Sequence, residues 1–135
     1  MARASERGWV EARALIERPG RQLLIHNPEP RNDASPWEFP GGRAEGRESP
    51  EAALRRVFRD VHHAVIEIHQ GQPPFVYNFG DRSVTYRYYL VSVVGDEPVS
   101  AAGGELRWVH VQQLRDYHFD APGQQVVDWL VDAER

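Results

Sequence analysis

The chain has 135 residues, the size of one ordinary domain. Apolar residues make up 41% and charged residues 27%, a balance that excludes wholesale disorder and supplies one hydrophobic core. The formal net charge is −4 and cysteine is absent. This excludes disulfides, thiolate zinc centres and a cysteine nucleophile, and disfavours bulk binding to nucleic acid.

No apolar run reaches the ~18 residues that span a bilayer; the longest, Tyr88 to Val94, is interrupted by Ser92. Met1 to Gly8 carries Arg3, Glu6 and Arg7 without an apolar stretch, so it reads as a tail and not as a secretory signal. The expectation is a cytoplasmic protein with a tail at 1–8 and a single domain at 9–135. It is expected as a monomer or homodimer with no membrane partner.

Trp9 to Glu17 sets Val10, Ala12, Ala14 and Ile16 against Glu11, Arg13 and Glu17, the period-2 pattern of a strand. Pro19-Gly20 is a turn pair, and Leu23-Leu24-Ile25 opens the next strand, which predicts a hairpin. Asn27 to Pro36 is rich in proline and small polar residues and reads as a loop. Trp37-Glu38-Phe39 predicts a strand running into the double glycine Gly41-Gly42. Ser49-Pro50-Glu51 then starts a helix: serine caps, proline suits the first position, and the acid favours the positive end. Ala53, Leu54, Val57, Phe58 and Val61 carry it to about Val61 with helical spacing, and Glu51 and Arg55 are placed for an i,i+4 pair.

Strands are predicted at Ala64–Ile68, Phe75–Phe79 and Ser83–Val93, with a turn at Gly80-Asp81-Arg82. Gly95 to Gly104 is a second loop, Leu106–Val111 a further strand, and Pro122–Ala133 a closing helix. Strands, helix, strands, helix is the order of an α/β domain with helices packed on a sheet.

The stretch from Trp37 to Arg56 is the most specific. Two glycines permit close backbone approach, and a carboxylate-bearing loop and a capped helix follow. A carbonyl there, joined by carboxylates, suits a hard divalent cation. The string resembles the Nudix superfamily, within it the MutT-like nucleoside triphosphate pyrophosphohydrolases. The family's box has a glycine, five residues, a glutamate, seven residues and an arginine. Gly42, Glu48 and Arg56 stand at those spacings, with Phe58 at the apolar position. Tyr77 to Arg82 resembles the hairpin walling the family's nucleotide pocket. Glu105 to Val109 resembles the Trp-bearing strand, and His118 to Pro122 the entry to the last helix. The resemblance implies an α/β/α sandwich with a mixed sheet between the box helix and the C-terminal helix.

It also implies site residues. Glu48, Asp60 and Arg56 take catalytic positions, with Arg56 bracing the loop. Gly41, Asp60 and Glu48 take the metal positions for Mg²⁺ or Mn²⁺. Phe39, Phe79, Asp81 and Arg82 take the nucleotide wall, the two phenyl rings flanking a base. Yet three glutamates of the box helix are represented by Val57, Asp60 and Val61, and the closing glycine by His63. One shortened carboxylate and a carbonyl near Gly41 make a poor chelate, so any cation is held weakly. Glu105, or His63 with Glu48 and Asp60, are the available substitutes. The span 43–59 holds Arg43, Arg47, Arg55, Arg56 and Arg59 against Glu45, Glu48 and Glu51, a balance that suits direct arginine contacts to a diphosphate. Gly123 occupies the place of a purine-reading asparagine, so selectivity for oxidised guanine is not expected. The expected function is that of a catalytically impaired Nudix domain binding a nucleotide-like molecule. The alternatives are a divergent hydrolase with Mg²⁺ or Mn²⁺ and a scaffold or dimerisation module.

Overall fold

The computed structural model describes residues 8–133. The tail expected at 1–8 lies outside these residues except for Gly8, which opens the first strand. Among the described residues seven strands form one mixed sheet: β1 (Gly8–Arg18), β2 (Gln22–Asn27), β3 (Gly41–Arg43), β4 (Val65–Gly71), β5 (Phe75–Phe79), β6 (Arg82–Val94) and β7 (Glu105–His110). Two α-helices cover it, α1 (Pro50–His62) and α2 (Ala121–Asp132), and a 3₁₀ helix spans Val111–Asp116. No described helix is long and apolar enough to cross a membrane.

The main path of the sheet runs β4-β6-β1-β2-β7, with β3 on β1 and β5 on β6. β1 runs parallel to β6 along Gly8–Ile16, and the other pairs are antiparallel. The expected β1–β2 hairpin exists only at its turn, where Glu17 faces Leu23 and Arg18 faces Gln22. Beyond it the strands part, because the segment before the double glycine is inserted between them. Ala14 N–H donates to the Pro40 carbonyl, and His26 and Glu38 exchange backbone bonds of 2.8 Å.

Period-2 alternation then divides the core between two faces. Ala12, Ala14 and Ile16 pack with Leu54 and Phe58 of α1. Leu15, Val84, Tyr86 and Tyr88 pack with Val126, Val127 and Val131 of α2. The sheet is thus covered on both sides, and this buries Arg13 to 8% exposure on what the alternation marked as the polar side of β1.

Ser49 caps α1 by accepting the Ala52 N–H at 3.1 Å. The helix ends at His63, which adopts the left-handed conformation at φ 50°, ψ 41°. Glu51 does not pair with Arg55 there. Its carboxylate accepts from the Tyr89 hydroxyl at 2.6 Å, tying the first turn to β6. Asp120 caps α2 through the Gly123 N–H at 2.8 Å. A strand on Gly41–Arg43 and the 3₁₀ helix were not expected, and the strand expected at Leu106–Val111 stops at His110.

Candidate functional site

Both box glycines are required by close contacts. A Cβ on Gly41, at φ +152°, would lie 2.0 Å from the Ala12 carbonyl oxygen. One on Gly42 would lie 2.9 Å from Cγ2 of Val57. The turn is therefore pressed against β1 on one side and α1 on the other, and Val57 fills the space beside Gly42.

The carboxylates of the box are held by arginines. Arg56 Nε donates to Glu48 Oε2 at 2.8 Å and Nη2 to Oε1 at 3.1 Å, a bidentate pair. Nη2 also reaches the Arg43 carbonyl at 3.0 Å, so Arg56 ties the loop to the helix. Glu48 Oε1 accepts the Glu45 N–H at 3.1 Å as well. The bonds from Arg56 and this N–H hold the Glu48 carboxyl below the usual range. Asp60 is paired with its neighbour Arg59 at 2.8 Å, which lowers its pKa too, and its side chain is 55% exposed. Glu105 is bound by Arg107. His63 takes the left-handed position that ends α1.

The expected set of Glu48, Asp60 and His63 is therefore not gathered around one point. Among the described residues no group of three or more His, Asp or Glu side chains is placed to hold a metal ion. Nudix hydrolases generally use a divalent cation such as Mg²⁺ or Mn²⁺. Such an ion needs several free oxygen donors. The oxygens here are engaged by guanidinium groups, and an apolar side chain stands beside the glycine turn. The residues present do not fit the ion.

The nucleotide wall is only partly assembled. Phe39 is fully buried, stacked on Phe119 at 5.2 Å and edge-on to Tyr88 at 5.9 Å. It is a core residue and does not form a sandwich with Phe79, which is 37% exposed at the end of β5. Asp81 stands exposed in the β5–β6 turn, and Arg82 follows it at the start of β6. At Gly123 an added Cβ would lie 2.7 Å from Asp120 Oδ1, so the cap of α2 leaves no room for a reading side chain.

What the sequence did not reveal is a buried polar chain behind this wall. Arg13 donates to Glu38 Oε2 at 2.7 Å and to the Phe39 carbonyl at 3.1 Å, and pairs with Glu11. Burial would lower the Arg13 pKa, but the two carboxylates outweigh it and raise it. Burial likewise opposes ionisation of Glu38, yet Arg13 and His26 hold it below the usual range. Glu11 in turn accepts the Trp9 indole N–H at 2.8 Å. His26 Nδ1 lies 3.3 Å from Glu38, its Nε2 is buried without a hydrogen-bond partner, and its ring meets His62 edge-on at 5.3 Å. His62 Nδ1 bonds the Val99 carbonyl at 3.0 Å while Val99 N–H returns to the His62 carbonyl at 2.9 Å. The second loop is thereby clasped to the end of α1. The available signal was Trp9, Glu11 and Arg13 at alternate positions, and only their partners 25 or more residues away along the chain give it meaning.

A mixed sheet between two helices, with a glycine turn leading into a capped helix on one face, defines an α/β/α sandwich. The NUDIX domain profile matches residues 9–130. The 8-oxo-dGTP diphosphatase of Haemophilus influenzae is 26% identical over 112 residues, covering 83% of this chain and 82% of that protein. A MutT Nudix hydrolase structure from Burkholderia pseudomallei superposes with a TM-score of 0.75 at 19% identity, covering 90% of this chain and 96% of that one. A MutT structure from work on Aliivibrio salmonicida and Vibrio cholerae gives 0.73 at 23% identity, covering 93% and 98%. The chain belongs to the NUDIX domain family. The two structural likenesses show the fold alone.

Proposed function

We propose that this chain is a catalytically impaired or inactive Nudix domain that binds a nucleotide-like molecule. The Haemophilus influenzae relative is named for a nucleoside triphosphate, and a ligand with a phosphoanhydride is the class inferred here. The observation that carries the reading is the state of the box carboxylates. Glu48 is bidentate to Arg56, Asp60 is paired with Arg59, and Val57 stands against Gly42. Phosphoanhydride hydrolysis needs charge neutralised on the phosphate oxygens and a water activated. Among the described residues neither task has a free carboxylate cluster to perform it.

The test is a turnover screen of the purified chain. Nucleoside triphosphates, nucleotide sugars and dinucleoside polyphosphates are offered with Mg²⁺ and separately with Mn²⁺, with Asp60→Asn as control. The expected result is stabilisation of the fold by at least one member of the panel, with no turnover that depends on Asp60. Metal-dependent turnover lost in Asp60→Asn would establish the divergent hydrolase instead. Absence of both turnover and binding would leave the scaffold reading.

A further inference from the structure

Arg43, at the end of β3, and Arg82, at the start of β6, approach the central strand β1 from its two sides. Glu11 of β1 faces Arg43, and Gly8 and Trp9 face Ser83 and Val84. Both guanidinium groups come over the Trp9 ring, at 4.4 Å for Arg43 and 5.4 Å for Arg82. Arg82 also lies 5.9 Å from the Phe79 ring.

Among the described residues neither guanidinium has a carboxylate partner or a side-chain hydrogen bond. Arg13, Arg18, Arg56, Arg59, Arg107 and Arg115 all do. Two unpaired arginines drawn to one ring repel one another, and their attraction to that ring offsets only part of the repulsion. An anion bound by both removes it, and guanidinium forks match phosphate oxygens.

The platform is also held in place. Trp9 is fixed by Glu11, Glu11 by Arg13, and Arg13 by Glu38. Arg43 is held from behind by Arg56, through its carbonyl at 3.0 Å. A seat fixed before binding loses less freedom when occupied. Phe79 adds an exposed ring beside it, suited to a base.

We propose that Arg43 and Arg82, set on Trp9, form a seat for the phosphate chain of the bound molecule and make its binding independent of a divalent cation. The ligand class is a polyphosphate, nucleoside-linked or inorganic. This rests on the nucleotide-binding reading above for the nucleoside but not for the phosphate.

The test is calorimetric titration of the full chain with ADP, CDP and inorganic tripolyphosphate, in EDTA and in Mg²⁺. The variants are Arg43→Gln, Arg82→Gln and, as a control of equal charge, Arg115→Gln, whose partners Asp128 and Asp132 lie on α2. Binding is expected to persist in EDTA. It should weaken about tenfold in each of Arg43→Gln and Arg82→Gln, the weight of one charge-assisted contact, and stay unchanged in Arg115→Gln. Trp9→Phe should abolish the fluorescence change that accompanies binding. Nucleotide binding indifferent to Arg43 and Arg82, or lost in EDTA, removes the seat and leaves nucleotide binding intact. Tripolyphosphate bound as tightly as ADP and CDP upholds the seat and removes the nucleoside. No binding by any of the three overturns the proposal.

Discussion

Arg13 and His62 show how single residues set the character of this site. Arg13 is buried with two carboxylates, and removing one partner of such a pair leaves a charge without compensation, at a cost of about 3–5 kcal/mol. His62 is buried at 1% exposure, and burial, opposed by its bond to the Val99 carbonyl, lowers its pKa below the ordinary 6.5. His26, Glu38 and His63 are the titratable groups around it. As pH falls through about 6.5 the unfolded chain takes up a proton that the folded ring does not. The contribution is therefore present above that pH and lost below it. Glu38, also lowered, loses its own contribution only in stronger acid, below 4.5. Urea midpoints should fall as the pH is lowered from about 7 to about 5, and His62→Gln should flatten that slope. An unchanged slope in the variant would remove His62 as its source.

The elements differ in how far they could be read in advance. α1 was legible because its signals are local: Ser49, Pro50 and the spacing of Leu54, Val57 and Phe58 all lie within the helix or next to it. β3 was not, since Gly41-Gly42-Arg43 has no strand preference of its own. Its pairing is imposed by β1, which runs opposite it from Glu11 to Arg13. The same dependence on distant partners hid the role of Glu11 and Arg13. Alternation announced a strand, but two covering layers, not sequence, decide that its polar side is buried. Phe39 was misplaced for a related reason, because an aromatic beside a glycine turn reads alike as core or as ligand platform. At the end of α1, His63 adopts a left-handed conformation that a side chain resists. His63→Gly should relieve it and stabilise the fold by about 0.5–1 kcal/mol in urea denaturation. Destabilisation would mean that the imidazole itself supports the turn.

At the scale of the molecule, the sandwich sets its two chemistries on opposite faces of the sheet. The α1 side carries the box, where arginines occupy the carboxylates. The α2 side carries Trp9, Glu11, Arg13 and the aromatic residues Phe75, Tyr77, Tyr86 and Tyr88. The family fold was legible because Gly42, Glu48 and Arg56 keep their spacing. What the box does was only partly legible: Val57, Asp60 and Val61 stood out in the sequence, whereas the pairing of Glu48 and Asp60 with arginines is a matter of side-chain placement. Family membership alone leaves activity open, since one fold serves many sites. The most direct measurement is Mn²⁺ uptake by the full chain, followed through the electron paramagnetic resonance of the free ion, in wild type and Asp60→Asn. The account expects the free-ion signal to be undiminished at equimolar protein and the same in both. Stoichiometric uptake that disappears in Asp60→Asn would contradict it, and would return the box helix to the role of a metal-binding catalytic element.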